Sequence, residues 1–140
     1  MPARDRLADP TTEWLPSDDL LREQSYLVAR GVRPMADCGD CPAEPERLAR
    51  IITRLERQAE AGAIPFVVEH DDGSASFGYA RAGWAIDLYR WVLKTEVPQE
   101  RRGQILGLLL GYSADEIGRY CDWDAGRRYL TATSAGSKSS

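Results

Sequence analysis

The chain of 140 residues contains one histidine, three cysteines and two methionines, and no uncharged apolar stretch longer than Ile105 to Tyr112. Each scarcity excludes something. A single histidine leaves the usual nucleophile–base triads short of members, and no GxSxG, Walker loop, dinucleotide fingerprint or HExxH is present. The expectation is therefore a protein that is not an enzyme. An odd number of cysteines behind a start without an apolar leader argues against a disulfide framework. A spanning helix needs roughly 20 apolar residues, which no segment approaches, so the expected setting is a reducing cytoplasm with no membrane contact. Extremes of charge are absent too. A net charge of −4 and a pI near 5.1 are too mild for a nucleic-acid mimic and opposed to a generic nucleic-acid binder.

What is present is the balance of a globular protein, 43% hydrophobic and 29% charged. Proline-rich residues 1–16 and Ser/Gly-rich residues 132–140 read as tails, which leaves 17–131 as one compact domain. Ser17 is placed to cap a helix that opens on Asp18 and Asp19 and stops at Gly31. An extended stretch at Val32 to Ala36 contains Pro34, which suits an edge strand. From Glu44 to Ala61, Leu48, Ile51, Ile52, Leu55 and Ala59 fall on one helical face.

Asp72-Gly73, flanked by strand formers, predicts a β-hairpin over Ile64 to Ala80. A two-residue loop would set Asp71 against Ser74, His70 against Ala75, Val68 against Phe77 and Phe66 against Tyr79. That register gives a sheet with one buried side. Trp84 to Lys94 is apolar almost all round and predicts a buried helix anchored by Trp84, Leu88 and Trp91. Pro98 opens the next helix and Gly111 ends it, after which Ser113-Ala-Asp-Glu116 has the spacing of a capping box. The element order is α-β-α-β-β-α-α-α. The predicted fold is α+β, a β-hairpin or small antiparallel sheet packed on about five helices.

Four features have residue types that carry chemistry. Cys38-Gly39-Asp40-Cys41 could share a metal or cycle through a local disulfide, and a zinc site would need His70 and Cys121 as the remaining ligands. Without them, the pair reads as two reduced cysteines in a turn, and no cofactor is expected. Glu69-His70-Asp71-Asp72 has acid–base residues but sits at a turn tip, where Asp is favoured for backbone reasons. Arg47, Arg50, Arg54 and Arg57 recur within about 80° of one another on a helix, a row able to grip an acidic partner through forked contacts. Glu46, Glu56 and Glu60 would otherwise balance it as a solvated face. Lastly, Gly107 to Ile117 has the form of the front half of a helix-turn-helix, with Ser113, Arg119, Arg127 and Arg128 as the residues that would reach DNA across Ser113 to Leu130.

The run Trp84-Ala-Ile-Asp-Leu-Tyr-Arg-Trp91, with Arg101-Arg-Gly-Gln-Ile-Leu-Gly-Leu-Leu-Leu-Gly-Tyr-Ser113 and Ile117, resembles small accessory proteins encoded on bacterial phages and plasmids. The resemblance spans Ile64 to Tyr120 and brings no catalytic residues. It implies the product of a mobile-element gene, acting as an inhibitor or modulator of a host defence or regulatory protein, as anti-CRISPR proteins do. The expected partner is therefore a protein, met through the arginine row and the edge near Val32 to Ala36. The alternatives are a helix-turn-helix DNA regulator and a small zinc or thiol protein centred on Cys38 and Cys41. Oligomeric state leaves no mark in the sequence.

Overall fold

A computed structural model describes residues 16–119. Helix α1 spans Asp18–Ala29, β1 Met35–Pro42, α2 Pro45–Gln58, β2 Ile64–Glu69, β3 Ser74–Ala80, α3 Gly83–Lys94 and α4 Gln99–Leu109. A last helical segment, α5, covers 114–119. The observed class is the one expected, α+β with a small antiparallel sheet packed on helices in the order α-β-α-β-β-α-α-α.

Local chemistry accounts for the helix ends. Ser17 Oγ accepts from Leu20 N at 3.2 Å. At the other end of α1, Gly31 takes a positive φ of 78°, and Val32 N–H reaches back to Leu27 O at 3.0 Å, closing the last turn. Helix α2 starts on Pro45, whose missing N–H costs nothing at a first helical position. Inside the α1–α2 join, the buried Ser25 hydroxyl bonds Gln58 O at 2.9 Å and satisfies a carbonyl at the end of α2.

The strands lie in the order β1-β3-β2, all antiparallel. The central strand β3 is buried on both faces. One face meets α1 and α2, where Ala36, Cys41, Ala75, Phe77 and Tyr79 pack with Leu21, Val28, Ile51 and Leu55. The other meets α3 and α4, where Met35, Phe66, Val68 and Ala80 pack with Ala85, Tyr89 and Leu109. The sheet is the middle of three layers rather than a sheet with one buried side.

This difference comes from the hairpin, whose register is one residue away from the one a two-residue loop would set. Val68 pairs with Ser76, Val67 with Phe77 and Phe66 with Gly78. The loop has three residues. Gly73 N–H bonds His70 O at 3.2 Å, Gly73 adopts φ 85°, and His70 N–H closes the ladder on Ser74 O at 2.8 Å. A two-residue turn of the primed type would require φ above zero at Asp72, whereas only glycine bears positive φ among the described residues. Asp72 Oδ1 instead accepts from Ser74 N–H at 3.0 Å and from its hydroxyl at 2.6 Å, which favours the longer loop. One step of register moves Phe66 and Val68 to the face opposite Phe77 and Tyr79.

Tyr79 locks the α2 layer to the sheet. The N–H of Ala59 turns to Glu56 O, and the Tyr79 hydroxyl donates to Leu55 O at 2.7 Å. The ring is fully buried. Tyr79→Phe keeps the packing but leaves a buried carbonyl short of a donor, so chemical denaturation should show a loss of about 1–2 kcal/mol. An unchanged midpoint would mean that water replaces the hydroxyl.

Candidate functional site

The arginine row does not form one free cationic strip. Arg47 is buried and pairs with Glu44 at 3.0 Å, while Arg54 Nε meets Asp18 Oδ1 at 2.8 Å and ties α2 to the first turn of α1. Arg50 and Arg57 are the members that remain exposed. Arg54 therefore joins two helices, and Arg47 is held at the N-terminal end of its own. The expected edge at Val32 to Ala36 is also altered, because β1 begins at Met35 and runs through the whole Cys38-Gly39-Asp40-Cys41 motif. It is an edge strand, as Pro34 suggested, but Pro34 and Pro42 bracket it and a bulge interrupts it. These features discourage further strand pairing.

The two cysteines thus lie in a strand and not in a turn. The ladder runs Asp37 to Gly78 and then Gly39 to Phe77, so Cys38 is the extra residue of a β-bulge. A regular strand would send Cys38 and Cys41 to opposite faces. The bulge turns both into the layer shared with α1 and α2. Burial, and then the neighbouring Asp37 charge, pushes the Cys38 thiol up to about 12, and burial also raises Cys41. Both are held as thiols, the form that neither attacks nor binds metal well. His70 lies on the other face of the sheet, and Cys121 is outside the described residues. Among the described residues no three His, Cys, Asp or Glu side chains converge as a metal site.

Ser113 has a structural task. Its N–H donates to Glu116 Oε1 at 2.8 Å and its Oγ accepts from Glu116 N at 3.1 Å, the reciprocal box that the spacing predicts. Glu116 is correspondingly held below the usual carboxylate range by the Ser113 N–H. Arg119 is exposed on α5, and Arg127 and Arg128 lie outside the described residues. Gly107 lets α5 approach α4, since a Cβ there would come within 2.7 Å of Ile117 Cγ1. An apolar cleft of about 430 Å³ beside this contact is lined by Leu106, Leu110, Tyr112 and Ile117.

Two features were not read from the sequence. The first is a polar cluster on the α3 face of the sheet. His70 Nε2 lies 2.7 Å from Ser76 Oγ, and the Ser76 hydroxyl donates to Asp40 Oδ1 at 2.6 Å. Ser76 itself is 4% exposed. Asp37 stands on the same face as Asp40, opposite Gly78. Asp37 is exposed and accepts from Gly39 N–H at 3.0 Å; partial desolvation of its charge outweighs that bond and raises its pKa to about 6. Glu69 and Asp71, which adjoin His70 in sequence, are exposed on the hairpin.

The second feature is the outer face of α3, where two of the three expected core anchors, Trp84 and Trp91, prove to be surface while Leu88 packs on the core's edge. The helix turns Ala85, Tyr89 and Val92 inward. The Tyr89 ring packs against Phe66 at 5.7 Å between centroids. At 100° per residue, an inward stripe on Ala85, Tyr89 and Val92 carries Trp84 and Trp91 round to solvent. They are 61% and 52% exposed, with Leu88 half-buried between them. Asp87, Arg90 and Lys94 run beside them, and Arg90 leans on Asp87 at 3.5 Å.

The chain matches no family model, no curated protein and no solved structure. Its function has to be read from these surfaces. Among the described residues no helix is long and apolar enough to cross a membrane. The polar cluster centres on a serine hydroxyl that is almost closed to solvent. Exposed indoles offer area and shape.

Proposed function

We propose that this protein acts by binding another protein through the outer face of α3. The observation that carries this reading is the pair of exposed tryptophans seven residues apart on one rigid helix. Burying the free part of each indole removes on the order of 100 Å² from water, about 2.5 kcal/mol at 25 cal/mol per Å². Tryptophan is enriched among the few residues that dominate protein interfaces, and a helix backed by a sheet presents it with little entropy left to lose. Asp87, Arg90 and Lys94 provide the polar rim that such a patch needs. The resemblance to mobile-element accessory proteins implies an inhibitor or modulator of a host defence or regulatory protein as the form this binding takes.

The test starts with a photo-crosslinking residue at Asp87 to identify the partner. Affinity is then compared between the native chain, Trp84→Ala/Trp91→Ala and Arg50→Ala/Arg57→Ala. Exposed-site changes leave stability within about 0.5 kcal/mol. The tryptophan pair should weaken binding by about 100-fold or more, and the arginine pair by only a few-fold. Equal affinity of the tryptophan variant and the native chain would remove α3 from the interface.

A further inference from the structure

We infer that the outer edge of β2 pairs with the same edge of a second copy of this chain, antiparallel and centred on Val67, so that two sheets join into one. The ladder itself shows which backbone groups are left over. His70 N–H bonds Ser74 O at 2.8 Å, one step beyond the Glu69–Ala75 pair, so His70, Val68, Phe66 and Ile64 turn their backbone groups towards β3. Glu69, Val67 and Pro65 then turn theirs away from the sheet. The far side of β3 agrees with this alternation, because Ala43 N–H bonds Gly73 O at 2.8 Å and so gives Gly73 and Ala75 to β1. Among the described residues nothing bonds the N–H groups of Val67 and Glu69 or the carbonyls of Pro65, Val67 and Glu69.

The two edges of the sheet are built differently. β1 is guarded by Pro34 and Pro42, by the bulge at Cys38 and by the exposed Asp37 and Asp40. β2 keeps an unbroken register and has no lysine. Its one proline stands where the nitrogen faces outward, so Pro65 interrupts no bond to β3 and still offers its carbonyl. A regular strand with a row of unpaired groups is a template for another strand.

That other strand is argued to be its own copy because β2 complements itself. In the antiparallel register centred on Val67, all the outward residues of one copy meet those of the other. Val67 exchanges both bonds with Val67 of the second copy, and Glu69 N–H reaches Pro65 O in each direction. Each Glu69 lies against a proline, which keeps the only charges on the two strands apart. Ile64, 41% exposed on the face where Phe66 and Val68 meet α3, comes opposite His70 of the second copy and is covered. The contact is closed by its two-fold axis, and the only edges left on the joined sheet are the two guarded β1 strands. It is also short, about 20 Å at roughly 3.4 Å per residue, which places the dimer among weak associations. The inference does not depend on the α3 reading above.

The experiment is sedimentation equilibrium of the full chain from about 10 μM to about 1 mM, with backbone amide hydrogen exchange read by NMR at both ends of that range. A reversible monomer–dimer equilibrium is expected, and the Val67 and Glu69 amides should exchange more slowly as concentration rises. Glu69→Pro removes an outward donor and no ladder bond, at a position equivalent to that of Pro65. Its circular dichroism should match the native chain while association weakens by about tenfold or more. Glu69→Ala keeps the donor and should associate at least as tightly as the native chain, and Trp84→Ala/Trp91→Ala should still dimerise. A chain that stays monomeric at the highest concentration would overturn the inference. So would Val67 and Glu69 amides whose exchange is the same at every concentration, whether fast, as for a bare edge, or slow, as for an edge covered within one chain. A dimer lost in the tryptophan variant and kept in Glu69→Pro would move the contact to α3 and overturn it as well. Should Glu69→Pro fail to fold, the concentration dependence of the native amides decides alone.

Discussion

Gly78→Ala is expected to leave the protein without a stable fold. Gly78 sits in the middle of the central strand, paired with Asp37 on one side and Phe66 on the other. A Cβ at this position would overlap the Ala36 carbonyl oxygen and lie 3.0 Å from that carbonyl carbon and 3.1 Å from Cys38 N. All three atoms belong to the backbone of β1, so no rotamer change can relieve the clash. The strand would have to move bodily, at the bulge where its pairing is already irregular. A cost above about 4 kcal/mol falls in the class reserved for core and backbone disruption, against a typical total of about 5–15 kcal/mol. Far-UV circular dichroism and urea titration would read it. A Gly78→Ala protein with a native midpoint would mean that β1 does not approach β3 as described.

The same central strand shows where reading the sequence succeeds and where it stops. Helices α1, α2 and α4 were legible because the ends of α1 and α4 carry their own signals, Ser17, Gly31, Pro98 and Gly111, and α2 carries an unambiguous apolar stripe. The hairpin was legible as well, through Asp72-Gly73. Its register was not, because the dipeptide fits both a two-residue turn and a three-residue loop with glycine in the left-handed region. The Asp72 side chain favours the second by bonding Ser74.

That one step propagated to α3. A helix that is apolar nearly all round offers two inward faces, and residue size favours the one with tryptophans. The choice is made by Tyr89, which has a ring partner in Phe66 only when the sheet has a second buried face. The polar cluster was out of reach for a different reason. Asp40 and Ser76 are 36 residues apart and His70 is a neighbour of three acids that are not its partners. The one available signal was Gly39 between Asp37 and Asp40, since a glycine inside a strand pattern marks a bulge, and a bulge changes which of its neighbours share a face.

Phe77→Ala should cost about 3–5 kcal/mol, the range for removing a large aromatic ring from a closed core. The ring is fully buried between β1 and the α1–α2 layer. Its geometry allows a sharper test than the single loss. Gly39 has φ 155°, and a Cβ built there would lie 2.9 Å from Phe77 Cζ and 3.4 Å from Cε1. Gly39→Ala in the native chain therefore meets two penalties, an unfavourable backbone conformation and a clash with the ring. In a Phe77→Ala background only the first remains. The two substitutions should be less than additive by about 1 kcal/mol or more, as expected for residues in contact. Strict additivity would show that Phe77 does not rest on the bulge. The contact matters beyond Phe77 itself, because this bulge sets the face of the sheet on which Asp37 and Asp40 both stand.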